Sequence, residues 1–170
     1  NEIADRALSS ELAGLDVDVA NRNSPGQIVL SGVRADVERA AQQIAASFPA
    51  AEIVPLNVNA PFHSRLMRGI EPAFRAELDA VANELAFEHA GNVTSNLMGG
   101  FHVPEREAVL DALTRQISGT VDFIANMHAL SSAATRICEV GPGRPLRGFF
   151  RAIGRDVVSV VSVKNAAEAA

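Results

Sequence analysis

The stretch "LDVDVANRNSPGQIVLSG", residues 15–32, holds two strand-like runs on either side of a turn. In "LDVDVANRN" apolar and polar residues alternate, the period of a strand with one face in a core. "NSPG" follows, a cluster of residues that each favour turn geometry, and "QIVLSG" is a second strand, so the stretch reads as an antiparallel hairpin. Working outward, "NEIADRALSSELAG" before it reads as a helix ending at Gly14. After it, "RADVERAAQQIAASF" places Val37, Ala40, Ala41, Ile44 and Ala45 at helical spacing. "AEIVPLNVN" then reads as a strand, with Pro55 favouring an edge position. Helix, strand, strand, helix, strand is a split β-α-β arrangement without its first strand, so the chain is expected to begin inside a domain.

Beyond residue 60 the pattern changes. "SRLMRGIEPAFRAELDAVAN" is helical with Pro72 inside it, which predicts a kink or break there. "GNVTSNLMGG" reads as a strand running into a loop, and "PEREAVLDALTRQIS" as a helix with Pro104 near its first turn and acidic residues early. "VDFIANMHALSS" is a further helix, "TRICEV" a buried strand, "GPGRPLRGFFRAIG" a last helix entered through glycines, and "DVVSVVSV" a terminal strand. "NAAEAA" reads as a frayed tail.

Composition removes several classes of function. The 170 residues suffice for one substantial core or two small lobes. Hydrophobic residues are 48% and charged residues 21%, ordinary proportions for a globular protein. A net charge of −5 argues against nucleic acid as a partner, and the absence of Trp and Tyr against a base-stacking platform. The apolar runs are too short for a bilayer span, and the first residues carry no signal-peptide pattern. The single cysteine, Cys138, fits a reducing, cytoplasmic compartment, with the role of a small buried hydrophobe. His63, His89, His102 and His128 are scattered, so no metal site is expected.

Five motifs stand in one order: "ANRNSPGQIVLSG", "APFHSRLM", "NVTSN", "RQISGTV" and "EVGPGRPLRGFFR". The series, from about Leu15 to Ile153, resembles the malonyl-CoA:acyl carrier protein transacylases and the acyltransferase domains of polyketide synthases. The resemblance implies an α/β, hydrolase-like acyltransferase fold with an inserted ferredoxin-like subdomain, and an N-terminal half missing from this chain. Residues 1–58 would be most of the small subdomain, and 59–170 the C-terminal part of the large one. Members of this family carry a nucleophilic serine in a Gly-His-Ser-x-Gly elbow. No G-x-S-x-G exists here, so the serine, the oxyanion-hole glutamine and the carboxylate-binding arginine are expected outside the chain.

By the same resemblance His63 corresponds to the catalytic histidine, which takes a proton from the serine and later returns it. Its second ring nitrogen would be held by a backbone carbonyl at the position of Gln116 rather than by an aspartate. Phe62, directly before the histidine, accompanies malonyl specificity in polyketide acyltransferases, where a bulky ring would exclude an α-methyl group. As bare sequence, Phe62 is equally a packing residue. Asn23 and Ser24 match the edge of the acyl pocket, and on their own are good turn formers. The glycines of "EVGPGRP" read as allowing close approach of strand and helix. Arg144, Arg147, Arg151 and Arg155 are spaced to share one face of the last helix, either a solvated face or a contact for an acidic carrier or CoA phosphates.

The function implied is transfer of malonyl from malonyl-CoA to the phosphopantetheine thiol of an acyl carrier protein, in fatty acid or polyketide biosynthesis. Malonyl-CoA would be substrate, with no tightly bound cofactor. The partners would be the carrier and the serine-bearing N-terminal half. Two other readings stay open. An acyl hydrolase of the same fold would use water in place of the thiol. A docking or scaffold module would need no serine, though it would also have no use for His63.

Overall fold

Strands β1 (Val17–Ser24) and β2 (Gln27–Gly32) form an antiparallel hairpin around the Ser24–Gln27 turn. The buried positions of β1 are Val17, Ala20 and Ser24, which is not the strict alternation the sequence suggests. Two bulges are the reason: the register steps from Val19↔Leu30 to Asn21↔Val29, and again from Arg22↔Ile28 to Ser24↔Gln27. Each bulge places two residues opposite one and turns the following side chains over. In this computed structural model residues 8–160 are described. Residues 8–11 are helical and 12–14 form a turn closed by Gly14 at φ 77°, while the remainder of the expected first helix and the terminal "NAAEAA" lie outside the described residues.

Helix α1 (Arg34–Ser47) buries Ala40, and Asp36 in its first turn accepts the Asp16 N–H at 2.9 Å while pairing with Arg39. The expected strand over 51–59 does not form. These residues are irregular and exposed, with Val54 64% accessible, and no described strand pairs with them. Alternation supplies two faces, but a strand needs a neighbour for its N–H and C=O groups, and Pro55 removes one donor.

The break at Pro72 is real and sits at a junction. A 3-10 turn over Arg65–Ile70 passes directly into helix α2 (Glu71–Val81), whose first turn contains the proline, where its missing N–H is harmless. A 3-10 segment (Phe87–Asn92) leads to strands β3 (Thr94–Ser95) and β4 (Gly100–Phe101), a two-residue pairing shorter than the strand the sequence suggests. Helix α3 (Arg106–Arg115) starts just after Pro104 and packs on α2, with Arg75 of α2 bonded to Glu107 at 2.6 Å. Strand β5 (Val121–Asp122) joins β1 in parallel, giving the sheet order β2-β1-β5.

Helix α4 (Phe123–Ala133) and helix α5 (Pro145–Ala152) pack around a buried cluster of Met127, Phe150 and Val157. Phe123 meets Phe149 and Phe150 edge-to-face at 6.1 and 6.2 Å. Strands β6 (Cys138–Val140) and β7 (Val158–Val160) run parallel. Within β6 only Glu139 is buried. Its carboxylate accepts the Leu146 N–H at 2.7 Å in the first turn of α5, where a helix has unpaired donors. Cys138 is exposed, against the buried role expected of it, because the strand turns Glu139 inward and its neighbours outward. The arginine stripe is broken as well. Arg144 precedes α5, and Gly154 at φ 74° ends it, so Arg155 turns away to donate to Ala134 O at 2.6 Å and Thr135 O at 2.9 Å. The glycines of "EVGPGRP" serve conformation, with Gly141 at φ 146° and Gly143 at φ 80°, since no backbone crowds either Cα. Among the described residues no helix is long and apolar enough to cross a membrane.

An open apolar recess of about 230 Å3 lies between the Phe87–Asn92 turn and α3, with His102 beside Val93, Val109 and Leu113. Burial pushes the His102 imidazole below its ordinary 6.5. The unfolded chain therefore binds this proton more readily than the folded one. Stability is full above about pH 6.5 and declines as pH falls below it, toward the lowered folded value. His102→Leu should flatten that acid limb in denaturation series run between about pH 7.5 and pH 5.5. Parallel pH dependences in the two proteins would show that the recess does not disfavour the charged ring.

Candidate active site

His63 sits in the turn between the exposed 51–59 segment and the Arg65–Ile70 helix, half-buried, with φ 59°. A positive φ is uncommon outside glycine and costs on the order of 1–3 kcal/mol. Three hydrogen bonds offset it. The His63 N–H donates to Ile117 O at 3.0 Å. Nδ1 lies 2.8 Å from Gln116 O and 3.2 Å from Gly119 O. A carbonyl oxygen only accepts, so in the neutral ring Nδ1 carries the proton and Nε2 keeps its lone pair. The side chain is therefore held as a base with its acceptor nitrogen turned away from its supports.

The acceptors exist because α3 ends there. Gln116 is the C-cap residue, and the turn behind it is closed by Ser118 N and Gly119 N, both donating to Arg115 O. The last carbonyls of a helix have no intrahelical partner, which leaves Gln116 O for the imidazole, while Gly119 O comes from the bend beyond the helix. This turn is tied on both sides. Ser118 Oγ donates to the Glu71 carboxylate at the start of α2, and Thr120 Oγ1 donates to Val19 O of β1 at 2.7 Å. Space at Gly119 is tight: a Cβ there would displace the end of the Leu97 side chain and sit 3.0 Å from Arg115 O.

The other expected site residues fall as follows. Phe62 is adjacent to His63 and 54% exposed, so its ring faces open space and is not packed into the core. Asn23 stands apart, four positions along β1 from Val19, with its amide donating to Gln27 Oε1 at 3.1 Å across the turn. Ser24 is buried beside it. Ser64, next to the histidine, is fully buried and gives its hydroxyl to Pro61 O at 2.7 Å, so it offers no free nucleophile. The "NVTSN" segment pins the start of α4: Asn96 O accepts Asp122 N–H at 2.8 Å, and Asn96 Oδ1 accepts from the buried Asn126 amide at 3.0 Å. Reasoning from sequence singled out Gln116 but missed Ile117 and Gly119. Their contribution is main-chain oxygen, which every residue possesses, and only the glycine in "RQISGTV" hinted at it. Among the described residues no group of three His, Cys, Asp or Glu side chains is placed to hold a metal ion.

None of the known protein-family profiles matches the chain. Curated proteins do. The malonyl CoA-acyl carrier protein transacylase of Staphylococcus aureus strain COL is 32% identical over 143 residues, which are 83% of this chain and 44% of the relative. That of Bacillus subtilis strain 168 is 31% identical over 146 residues, 85% and 44% respectively. A crystal structure of malonyl-CoA:acyl carrier protein transacylase from Xanthomonas oryzae superposes with TM-score 0.80 at 28% identity, covering 99% of this chain and 53% of that one. A type II polyketide synthase acyl-carrier protein in complex with its malonyl-transacylase contains a chain matching at TM-score 0.79 and 26% identity, covering 99% and 54%. The chain thus spans about half the length of the relatives it matches, and over that span the proteins it is similar to are malonyl-CoA:acyl carrier protein transacylases.

Proposed function

We propose that this chain supplies the general base and one wall of the acyl pocket of a malonyl-CoA:acyl carrier protein transacylase, whose nucleophilic serine lies outside the chain. The observation that carries the reading is the fixed Nδ1–H of His63 on the Gln116 and Gly119 carbonyls, which leaves Nε2 as the acceptor. Nε2 takes the serine proton as the serine oxygen attacks the thioester carbonyl, and returns it to the departing CoA sulfur. In the second half-reaction Nε2 takes the proton of the phosphopantetheine thiol, the thiol sulfur attacks the acyl-serine ester, and the proton goes back to the serine oxygen. The acyl group ends on the carrier protein. The chain needs no resident cofactor for this sequence, and malonyl-CoA enters as substrate. The work would be done in the cytoplasm, feeding fatty acid or polyketide assembly.

Incubated alone with labelled malonyl-CoA, the chain should remain unlabelled; stable acylation of Ser64 or Ser24 would overturn the assignment of roles. Combined with the serine-bearing segment it should turn over, and His63→Ala should lower kcat by about a hundredfold or more while the protein stays folded.

Because the Gln116 contribution is its carbonyl, Gln116→Ala should keep kcat within about threefold, whereas Gly119→Ala crowds the Arg115 carbonyl that closes the turn and should lower it by about tenfold, as a misplaced base does. A Gln116→Ala loss as large as that of Gly119→Ala would mean the side chain, not the main chain, does the work.

Phe62 would border the substrate's α-carbon. One methyl group in an apolar pocket is worth about 1–3 kcal/mol, so Phe62→Ser should shift selectivity toward methylmalonyl-CoA by roughly tenfold to two-hundredfold. A competition assay with both thioesters reads it directly, and an unchanged product ratio would remove Phe62 from the pocket.

A further inference from the structure

We propose that Arg65 is a positioning residue for His63, acting by fastening the histidine turn to the same short stretch of β1 that fastens its acceptor loop. The inference rests on the reading of His63 as the base. Arg65 stands two residues beyond His63 and is held through its main-chain N–H and both terminal guanidinium nitrogens. Its N–H donates to Asp18 Oδ2 at 2.8 Å, and its Nη1 to the other oxygen of the same carboxylate and to Val17 O at 3.4 Å. Nη2 donates to Asp16 Oδ1 at 2.8 Å and Leu15 O at 3.3 Å. The neighbouring residue on that strand, Val19, accepts Thr120 Oγ1 from the acceptor loop at 2.7 Å.

Residues 15–19 therefore bracket both partners of the Nδ1 hydrogen bonds. On one side they hold the segment that carries the imidazole, and on the other the segment that carries Gln116 O and Gly119 O. The separation between ring and carbonyls is set by a common strand, not by either loop alone. A histidine at positive φ needs such a bracket, since an unrestrained turn relaxes to negative φ and swings the ring away. An arginine fits the task because its planar fork meets carboxylate and carbonyl acceptors from fixed directions, which an ammonium on a flexible stem does not. The Arg65 side chain is 38% solvent-exposed, and exposed ion pairs contribute little to stability. The substitution should accordingly disturb geometry more than folding.

The test has two readouts. Long-range proton–nitrogen spectra of the nitrogen-15-labelled chain report the ring tautomer. The wild type should show His63 with Nδ1 protonated and Nε2 bare. Arg65→Gln and Asp18→Asn should each add a substantial Nε2–H population, and Arg65→Lys should fall between them and the wild type. With the serine-bearing segment added, Arg65→Gln should lower kcat by about tenfold or more, leaving KM for malonyl-CoA within about twofold. If Arg65→Gln fails to fold, Asp18→Asn decides the question alone. A His63 spectrum unchanged in the folded variants would overturn the proposal. The reading of His63 as base fails separately: a tautomer that shifts in Arg65→Gln, beside full activity in His63→Ala, would leave the bracket standing and remove the base.

Discussion

One hydrogen-bonding constraint organises the site: the imidazole N–H of His63 shared between Gln116 O and Gly119 O. It joins two pieces of chain more than fifty residues apart at a point where each has something unfinished. A helix end has carbonyls without partners, and a left-handed histidine has backbone strain without compensation. Each supplies what the other lacks. The same end of α3 carries partial negative charge, the sign that suits a ring holding an extra proton partway through a transfer. Acceptors made of main chain also cannot titrate, so the support does not change its charge while the ring does.

The features that were legible in the sequence are those fixed within a few residues. The Asn-Ser-Pro-Gly turn carries its own backbone preferences, so the β1–β2 hairpin followed from residues 15–32, though its two bulges did not. The period of Val37, Ala40 and Ile44 gave α1, and Pro72 gave the junction before α2. Failures came where the outcome depends on a distant neighbour. Residues 51–59 alternate like a strand but find no described partner to pair with. Cys138 sits among strand formers, yet its orientation was set by Glu139 reaching into α5. Arg155 was counted on a helix face that Gly154 had already ended, through a bond from Arg155 N to Phe150 O at 3.0 Å that reverses the chain.

For the site the same division holds in a sharper form. A histidine between Pro-Phe and a polar helical run is visible as an anomaly, and the motif series gave it a context. The oxygens that hold it were not visible as chemistry, because a backbone carbonyl has no letter of its own. Arg65 was visible as a letter, but Asp16 and Asp18 lie forty-seven or more positions earlier and looked like the polar half of a strand pattern. Only the fold makes those two aspartates the floor of the histidine turn.

The described supports of His63 are spread over several elements. Ile117, Gln116 and Gly119 hold the residue itself, Glu71 and Val19 hold the loop that carries those carbonyls, and β1 holds Arg65. In the proposed reaction the nucleophile stands on a different segment, so a base that needed that segment for its orientation would depend on two elements at once. The geometry argues otherwise. The tautomer is set by main-chain oxygens, which leaves the proposed nucleophile only one requirement at the other ring nitrogen, a hydroxyl within reach of its lone pair. Placing the ordering of the base and the delivery of the nucleophile on separate elements lets each be rigid in its own frame, the arrangement that keeps reorganisation out of the proton-transfer step.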